Sequence, residues 1–219
     1  MSLSPRLMVF DLDGTLVDSV PDIAAAVNRV LAARALPALG HAAIAAMVGD
    51  GLHPLIKRAF AAVGGTPDDG AAGEYLADYE ANVLVETSLF PGITDMLDSL
   101  QATGWALAVC TNKPERAAHL LLDALGIGAR FAAIGGGDSF ATHKPDPAHL
   151  RQTIAAAGGD PARALMVGDH SNDVHAAMGC GVAAIFAGWG YGRPGMESGA
   201  AAVAPTPASL AEIAQRLLA

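Results

Sequence analysis

Short apolar segments recur along the chain and alternate with helical patterns. They lie at residues 7–10, 105–110, 131–134, 164–167 and 183–186. Apolar runs of this length that end at polar loops are typical of buried strands. Between them, apolar residues recur with the period of an amphipathic helix. Strands that alternate with helices predict an α/β fold with a doubly wound, Rossmann-like parallel sheet.

The first interval between strands is too long for simple alternation. The first two strands end near residues 11 and 110, whereas a strand–helix–strand unit takes roughly 30 residues. The intervening patterns are helical, at residues 23–31, 41–47, 52–63 and 74–85. We therefore expect an inserted α-helical cap domain over residues 19–88, and an α/β catalytic core formed by residues 1–18 and 89–219.

Composition excludes several classes of protein. Of 219 residues, 52% are hydrophobic and 16% charged, which suits a folded core rather than a disordered chain. The net charge is −9 and no segment clusters Lys and Arg, so we expect no nucleic-acid partner. An acidic protein still binds a small anion where a metal ion or a local lysine offsets the charge.

The same reading indicates a cytoplasmic protein. Residues 1–7 are too few for a signal peptide before the first strand, and no apolar run is long enough to span a membrane. The two cysteines, Cys110 and Cys180, form no CxxC pair, and we expect both to be buried small residues. Monomer and homodimer remain open alternatives.

The strongest chemical signal is the segment Asp11-Leu12-Asp13-Gly14-Thr15-Leu16, which follows the first strand directly. Ligands of open α/β sheets bind at the carboxyl ends of the strands. Two carboxylates there can divide one reaction, with one as the nucleophile and the other as a proton shuttle. The alternative is a solvated turn, since Asp-Gly is a common turn pair.

Two later loops offer groups to a phosphate. Residues 111–114, Thr-Asn-Lys-Pro, follow the second core strand and place a hydroxyl and backbone N–H groups before a helix. Lys144 lies in a loop before a helix that Pro147 begins. Taken singly, the first is equally an ordinary helix cap and the second a solvated lysine.

A further pair of carboxylates surrounds another strand end. Asp169 terminates the strand at residues 164–167, and Asp173 falls in the first turn of the next helix, with Ser171 as its expected cap. An acid in the first turn also simply favours a helix N-terminus.

These loops should meet at one edge of the sheet, bringing Asp11, Asp13, Asp169 and Asp173 together with Lys144. Carboxylates in one cleft repel each other, and a bound phosphate adds to the repulsion. A hard divalent cation with oxygen ligands resolves the conflict, and Mg²⁺ suits a site of a few carboxylates, phosphate and water. We therefore expect Mg²⁺ as cofactor.

Taken together, these motifs resemble those of the haloacid dehalogenase superfamily of phosphatases. All four motif regions of that family occur in order, with a helical cap between the first and the second. The resemblance implies Asp11 as the nucleophile and Asp13 as the general acid/base. It implies phosphate binding by Thr111 and Lys144, with backbone N–H groups near Thr111 and Asn112 also donating.

The resemblance also implies a metal site. It would consist of the Asp11 side chain, the Asp13 carbonyl and Asp169, with Asp173 supporting the metal directly or through water. Within the superfamily, residues 48–51, 111–114 and 136–139 are similar to phosphoglycolate phosphatases. The fourth motif departs from their usual Gly-Asp-Ser-Arg-Asn-Asp, since His170 and Ser171 replace Ser-Arg.

The expected substrate is a small anionic phosphate ester, with 2-phosphoglycolate as the favoured candidate. Candidate substrate contacts in the cap are Gly49, the Gly51 N–H, Lys57 and Arg58, because a carboxylate needs a donor or cation to offset its desolvation. The alternative is that Lys57 and Arg58 solvate the outer face of their helix.

Several other functions share parts of this pattern. A haloacid dehalogenase uses the same nucleophile but needs neither Asp13 as an acid nor a magnesium site. A phosphosugar phosphatase, a pyrophosphatase or a phosphosugar mutase uses the same motifs. A non-catalytic phosphate-binding regulatory module would be expected to lose Asp11 or Asp13, and both are present.

Overall fold

The computed structural model of the protein describes residues 5–218. Its strands, in chain order, are β1 (Arg6–Phe10), β2 (Val17–Asp18), β3 (Ser88–Leu89), β4 (Trp105–Cys110), β5 (Ala133–Gly135), β6 (Ala164–Gly168), β7 (Ala183–Ala187) and β8 (Ala202–Ala204). Six of them form one sheet in the order β5-β4-β1-β6-β7-β8. Every pair in it is parallel, which confirms the predicted fold class.

The helices lie on both faces of this sheet and in a separate group. In chain order they are α1 (Val20–Ala32), α2 (His41–Ala45), α3 (Leu52–Ala62), α4 (Ala71–Ala81), α5 (Ile93–Ala102), α6 (Glu115–Ala124), α7 (Pro147–Ala156), α8 (Ser171–Gly179) and α9 (Leu210–Leu217). Met8 and Phe10 of β1 pack in a cluster with residues of α5, α6 and α9. Leu7 and Val9 pack with α7 and α8. Successive side chains of a strand point to opposite faces, so both faces of β1 are covered.

The four helices α1 to α4 follow one another between β2 and β3. They share an apolar cluster that includes Val27, Leu31, Phe60 and Tyr79. At the base of this group, β2 and β3 pair antiparallel, with Val17 opposite Leu89. Helices stand where the cap was expected, and we call α1 to α4 with their connecting loops the helical group or cap. That residues 19–88 form a separate cap domain stays a prediction. Residues 1–4 and 219, which belong to the expected core, lie outside the described part of the chain. Residues 1–4 are also most of the segment 1–7, which was judged too short for a signal peptide.

A second connection closes the base of the helical group. The Asp22 carboxylate of α1 accepts hydrogen bonds from the backbone N–H groups of Val85, Glu86 and Thr87, at 2.9–3.1 Å, and from the Thr87 hydroxyl at 2.7 Å. Asp22 is 4% exposed. The start of α1 is thereby tied to the segment that returns to the sheet.

Short elements are where sequence and structure differ. The pair β2–β3 and the edge strand β8 were not predicted, because two or three residues are too few to show an alternating pattern. Strand β5 starts at Ala133 rather than at residue 131. Cys110 is buried as expected, whereas Cys180 is only partly buried. Over residues 5–218, no helix combines the length and apolarity needed to cross a membrane.

Candidate active site

The candidate site lies where three neighbouring strands end. Asp11 follows β1, Thr111 follows β4 and Asp169 follows β6. Because β1 lies between β4 and β6 and all three strands are parallel, their carboxyl ends meet at one edge. The backbone continues the ladder there, since the Asp11 N–H donates to Val167 O at 2.8 Å. The carboxyl edge of such a sheet is where ligands bind.

Lys144 lies at the centre of the buried charges. It is 1% exposed, and its Nζ lies 2.9 Å from Asp11 Oδ1 and 2.6 Å from Asp173 Oδ1. It also donates to the Cys110 carbonyl at 2.5 Å. Burial lowers the pKa of Lys144, but the charges of Asp11 and Asp173 outweigh it, so that the pKa lies above its ordinary value. The ammonium is therefore fixed beside the Asp11 carboxylate.

Asp169 is held in place by two donors. The Thr15 hydroxyl donates to Oδ1 at 3.0 Å, and the Tyr191 N–H donates to Oδ2 at 2.8 Å. Gly14 makes room for this carboxylate, since it has φ +85° and a Cβ there would come within 2.3 Å of Asp169 Oδ2. Burial, followed by the charges of Asp11 and Asp173, raises the pKa of Asp169 well above its ordinary value.

The carboxylates of Asp11, Asp169 and Asp173 fit a divalent cation. One oxygen from each lies within 4.8 Å of the others. Lys144 offsets only part of this charge, and Asp11 Oδ1, apart from its contact with that ammonium, finds no hydrogen-bond donor in the described residues. Three oxygen ligands in a buried, electron-rich cluster suit a hard cation such as Mg²⁺. These side chains could hold one.

The Asp13 side chain lies outside this cluster. Its Oδ1 accepts from the Ser19 hydroxyl at 2.6 Å, and the Lys113 Nζ donates to both of its oxygens, at 2.9 Å and 3.0 Å. The Lys113 amine also lies 4.3 Å from the centre of the Tyr79 ring of α4. A metal role for Asp13 through its carbonyl stays a prediction.

Thr111 and Asn112 lie in the same edge loop. Thr111 is buried, and its hydroxyl accepts from the Lys113 N–H at 3.2 Å. The Asn112 side chain donates to Gly49 O and to Lys144 O, both at 2.9 Å. Asn112 therefore joins the cap to two loops of the sheet, and phosphate binding by this loop stays a prediction.

A pocket opens between this edge and the helical group. Its lining residues are Asp11, Asp13, Ile23, Val48, Gly49, Gly51, Leu52, Leu55, Tyr75, Thr111, Asn112, Lys113 and Pro114. Polar groups of the edge loops thus face apolar side chains of the cap.

The cap loop at Gly49 lies directly on the fourth motif. Gly49 has φ +121°, and a Cβ there would come within 2.7 Å of the His170 ring. The Asn172 amide donates to Asp50 Oδ1 at 2.6 Å. Ser171 was expected to cap α8, but the helix already begins at Ser171. His170 is the capping residue instead, and its Nδ1 accepts from the Asn172 N–H at 3.2 Å. The departure from the family motif therefore lies at the contact with the cap.

Of the four candidate substrate contacts in the cap, Gly49 and Gly51 line the pocket. Lys57 and Arg58 do not. Lys57 is exposed on α3 and is absent from the pocket lining. Arg58 is also exposed and is paired with Asp50, with a further bond to the Met47 carbonyl at 3.1 Å. Because the buried face of α3 is formed by residues 55, 56, 59 and 60, positions 57 and 58 point away from the cluster that lines the site.

Two residues of the site were not singled out from the sequence. Lys113 belongs to the quoted segment 111–114, but nothing in the pattern marks its side chain as buried. Tyr191 lies in the glycine-rich loop at 188–192, which was expected beside the site. Besides its N–H bond to Asp169, its hydroxyl donates to Asp18 at 2.7 Å and accepts from the Ser19 N–H at 2.8 Å.

Comparison with known proteins agrees with this geometry. A family model described as haloacid dehalogenase-like hydrolase matches residues 8–187. The phosphoglycolate phosphatase of Rhodospirillum rubrum is 42% identical over 217 residues, covering 95% of this chain and 90% of that protein. The phosphoglycolate phosphatase of Pseudomonas putida is 44% identical over 199 residues, covering 87% of this chain and 72% of that protein.

Solved structures show the same likeness. The crystal structure of a predicted phosphoglycolate phosphatase from Haemophilus somnus has a TM-score of 0.88 at 31% identity, covering 95% of this chain and 97% of that one. CbbY from Rhodobacter sphaeroides, solved in complex with phosphate, has a TM-score of 0.78 at 26% identity, covering 94% and 96%. With its parallel sheet, its buried aspartates and these matches, the chain belongs to the haloacid dehalogenase-like hydrolases.

Proposed function

We propose that this protein is a Mg²⁺-dependent phosphatase that hydrolyses a small organic phosphomonoester, 2-phosphoglycolate, through an aspartyl-phosphate on Asp11. The observation that carries the proposal is the position of the Asp11 carboxylate. It lies at the pocket, 2.9 Å from the Lys144 ammonium and within the group of three buried carboxylates. A carboxylate so placed is fixed for attack on an electrophile that enters from the pocket.

Asp11 would attack phosphorus in line with the ester oxygen. Lys144 is buried, charged and adjacent to Asp11, so it can stabilise negative charge on the phosphoryl oxygens. The Thr111 N–H already donates to Gly135 O at 2.8 Å. The Thr111 hydroxyl and the Asn112 N–H, at the end of β4, are therefore the groups proposed to donate to the same oxygens. A Mg²⁺ ion held by Asp11, Asp169 and Asp173 would supply charge compensation for the phosphoryl group.

Asp13 would serve as the general acid and base. An alkoxide leaves poorly without a proton, so a protonated Asp13 would donate to the ester oxygen as the bond to phosphorus breaks. In the second step the Asp13 carboxylate would take a proton from water, which attacks the phosphorus of the aspartyl-phosphate and releases phosphate. The Ser19 hydroxyl, 2.6 Å from Asp13 Oδ1, orients this carboxylate.

The helices α1 to α4, proposed as a cap domain over residues 19–88, would exclude bulk water from the pocket. Asn112 and Asn172 fasten the cap loop to the core through Gly49 and Asp50. Exclusion of water strengthens every electrostatic interaction in the site. A small leaving group is in keeping with the phosphoglycolate phosphatases among the relatives.

A sugar phosphate is the second candidate substrate. A variant of CbbY from Rhodobacter sphaeroides, 25% identical to this chain at a TM-score of 0.79, has been solved with xylulose-(1,5)bisphosphate. The same edge of the sheet with a different cap lining would suit such a ligand. This alternative keeps the Asp11 chemistry and changes only the recognition of the leaving group.

The test is steady-state hydrolysis of a panel of phosphate esters, with Mg²⁺ and with a chelator. The panel contains 2-phosphoglycolate, ethyl phosphate, sugar phosphates, nucleoside monophosphates and pyrophosphate. We expect 2-phosphoglycolate to have the highest kcat/KM, and activity to vanish with the chelator. Faster turnover of a sugar phosphate or pyrophosphate would replace the substrate but keep the phosphatase, and stimulation by an added sugar bisphosphate would indicate a mutase.

A further inference from the structure

Lys113 carries a buried amine to which the mechanism above assigns no task. Its side chain is 5% exposed, and its Nζ contacts both oxygens of Asp13 at 2.9 Å and 3.0 Å. On another side the amine lies against the ring of Tyr79, which is itself stacked on Tyr75. An ammonium removed from water needs an anionic partner. Here Asp13 is that partner.

Lys113 is also the cation that a ligand in the pocket would meet. Among the residues lining the pocket, the charged ones are Asp11, Asp13 and Lys113. Lys144 is already engaged by two carboxylates and a carbonyl, on the side of the phosphoryl site. In this pocket, a second anionic group on the substrate would therefore lie among carboxylates unless Lys113 received it. Arg193, which is exposed, lines a separate cavity that also borders Asp11 and Asp13.

Because Lys113 lies beside Asp13, the proposed general acid, its amine lies close to the position of the ester oxygen. A general acid lies within roughly 2.6–3.2 Å of the oxygen that it protonates. The Lys113 Nζ is at a similar distance from the same Asp13 oxygens. A carboxylate attached one carbon away from the ester oxygen would therefore fall within reach of this amine. A neutral alkyl group at the same place offers it no acceptor.

We infer that Lys113 is a specificity-determining residue, and that it binds the carboxylate of the leaving group in exchange for Asp13. This inference rests on the proposed phosphatase function and deepens it. The substrate carboxylate replaces one anion by another at the buried ammonium, which stays neutralised. Asp13 keeps its bond from the Ser19 hydroxyl and is released to contact the ester oxygen. A phosphate ester of a 2-hydroxy acid is the substrate class that makes this exchange.

Kinetics can distinguish a Lys113 that binds the substrate carboxylate from one that only holds Asp13 in place. If Lys113 only holds Asp13 in place, its loss should slow all esters alike. If it binds the carboxylate, its loss should slow carboxylate-bearing esters far more than neutral ones. The comparison needs esters with and without this negative charge. The amide 2-phosphoglycolamide keeps the shape of 2-phosphoglycolate and loses the charge of its carboxylate, and ethyl phosphate lacks the polar group altogether.

The experiment measures kcat/KM for these three esters with the wild type, Lys113→Met and Lys57→Met, all with Mg²⁺. We expect the wild type to prefer 2-phosphoglycolate over the amide by at least roughly tenfold. Lys113→Met, which keeps the length of the side chain but not its charge, should reduce this preference to about unity. Lys57→Met removes a lysine exposed on the cap and should leave the preference unchanged.

A third variant guards against misfolding, because Lys113→Met leaves Asp13 without its cation. Lys113→Arg keeps the charge and should retain part of the preference, and circular dichroism reports whether each variant folds. Equal losses on acid and amide, or a wild type that does not distinguish them, overturn the inference and leave the phosphatase standing. A wild type that hydrolyses no phosphate ester with Mg²⁺ refutes the proposed function itself.

Discussion

Asp13 and Lys113 are 100 positions apart in the chain and form a partly buried ion pair, in which the Lys113 Nζ lies 2.9 Å and 3.0 Å from the two Asp13 oxygens. The neighbouring Asp11 is paired instead with Lys144. The two aspartates of one loop thus have separate cationic partners, one at the carboxylate cluster and one at the pocket. This division matches the different tasks proposed for a nucleophile and for a general acid.

The nucleophile is tested by Asp11→Asn. Asparagine keeps the shape of the side chain but is a poor nucleophile, so we expect kcat to fall by more than about 10³-fold. Beryllium fluoride, which mimics an acyl-phosphate on aspartate, should no longer protect the variant against thermal unfolding. The variant should still fold, because the substitution removes one charge from a crowded cluster. Retention of a substantial kcat would exclude Asp11 as the nucleophile.

The general acid is tested by Asp13→Asn with leaving groups of different quality. An alkyl ester needs a proton on its departing oxygen, whereas an aryl oxide leaves with less help. We expect kcat to fall by roughly 10²–10⁴-fold for alkyl phosphates and much less for aryl phosphates. The measurement is the dependence of log kcat on the pKa of the leaving alcohol, which should become steeper. The same loss across the series would remove Asp13 from this role.

The metal site is tested by thermal unfolding with and without Mg²⁺. Three buried carboxylates repel each other when the site holds no cation, so a cation that binds only the folded state should raise the melting temperature. We expect this rise in the wild type and in Lys57→Met, and its loss in Asp169→Ala. Calorimetric titration with Mg²⁺ provides the binding readout independently of turnover. An Asp169→Ala variant that binds Mg²⁺ like the wild type would contradict the assignment.

The base of the helical group is tested through Asp22. Burial raises the pKa of Asp22, but the Thr87 hydroxyl and the backbone N–H groups of Thr87, Val85 and Glu86 outweigh it, so that the pKa lies below its ordinary value of 3.8. The folded state therefore favours the ionised form. This contribution to stability is complete above the unfolded pKa and is lost as the pH falls through the folded one.

We accordingly expect Asp22→Asn to lower the free energy of unfolding by about 2 kcal/mol at neutral pH, because hydrogen bonds to a charged acceptor are replaced by weaker ones. The difference from the wild type should shrink as the pH falls below about 4. Urea unfolding at several pH values measures it. Asp69→Asn, in an exposed loop of the cap, should cost little at any pH. A cost for Asp22→Asn that does not change with pH would contradict the pairing.

The parts of the site that the sequence predicted are those that depend on strand ends. Asp11, Thr111 and Asp169 each follow an apolar run, and parallel strands bring such ends to one edge whatever the cap does. The pairing of Lys113 with Asp13 could not be predicted in this way. It depends on the direction of one side chain and on the packing of Tyr79 over it, which no local pattern records.

The substrate contacts predicted at Lys57 and Arg58 failed for a different reason. Arg58 and Lys57 were chosen for their charge, yet Leu55, Ile56 and Phe60 form the buried face of the same helix. A helical period of 3.6 residues places positions 57 and 58 on the opposite side, so the pattern itself argued for the solvated alternative. The helix face on which a charged residue lies therefore predicts its contact with a pocket better than the local density of charge does.

The central claim is that phosphate passes through a covalent bond to Asp11. The most direct measurement is acid quenching of the enzyme during turnover of 2-phosphoglycolate with Mg²⁺, followed by peptide mass spectrometry. We expect the mass of one phosphoryl group on the peptide that contains Asp11, labile to hydroxylamine and absent in Asp11→Asn. A phosphoryl group on another residue, or turnover of 2-phosphoglycolate in which Asp11 never carries phosphate, would contradict the account.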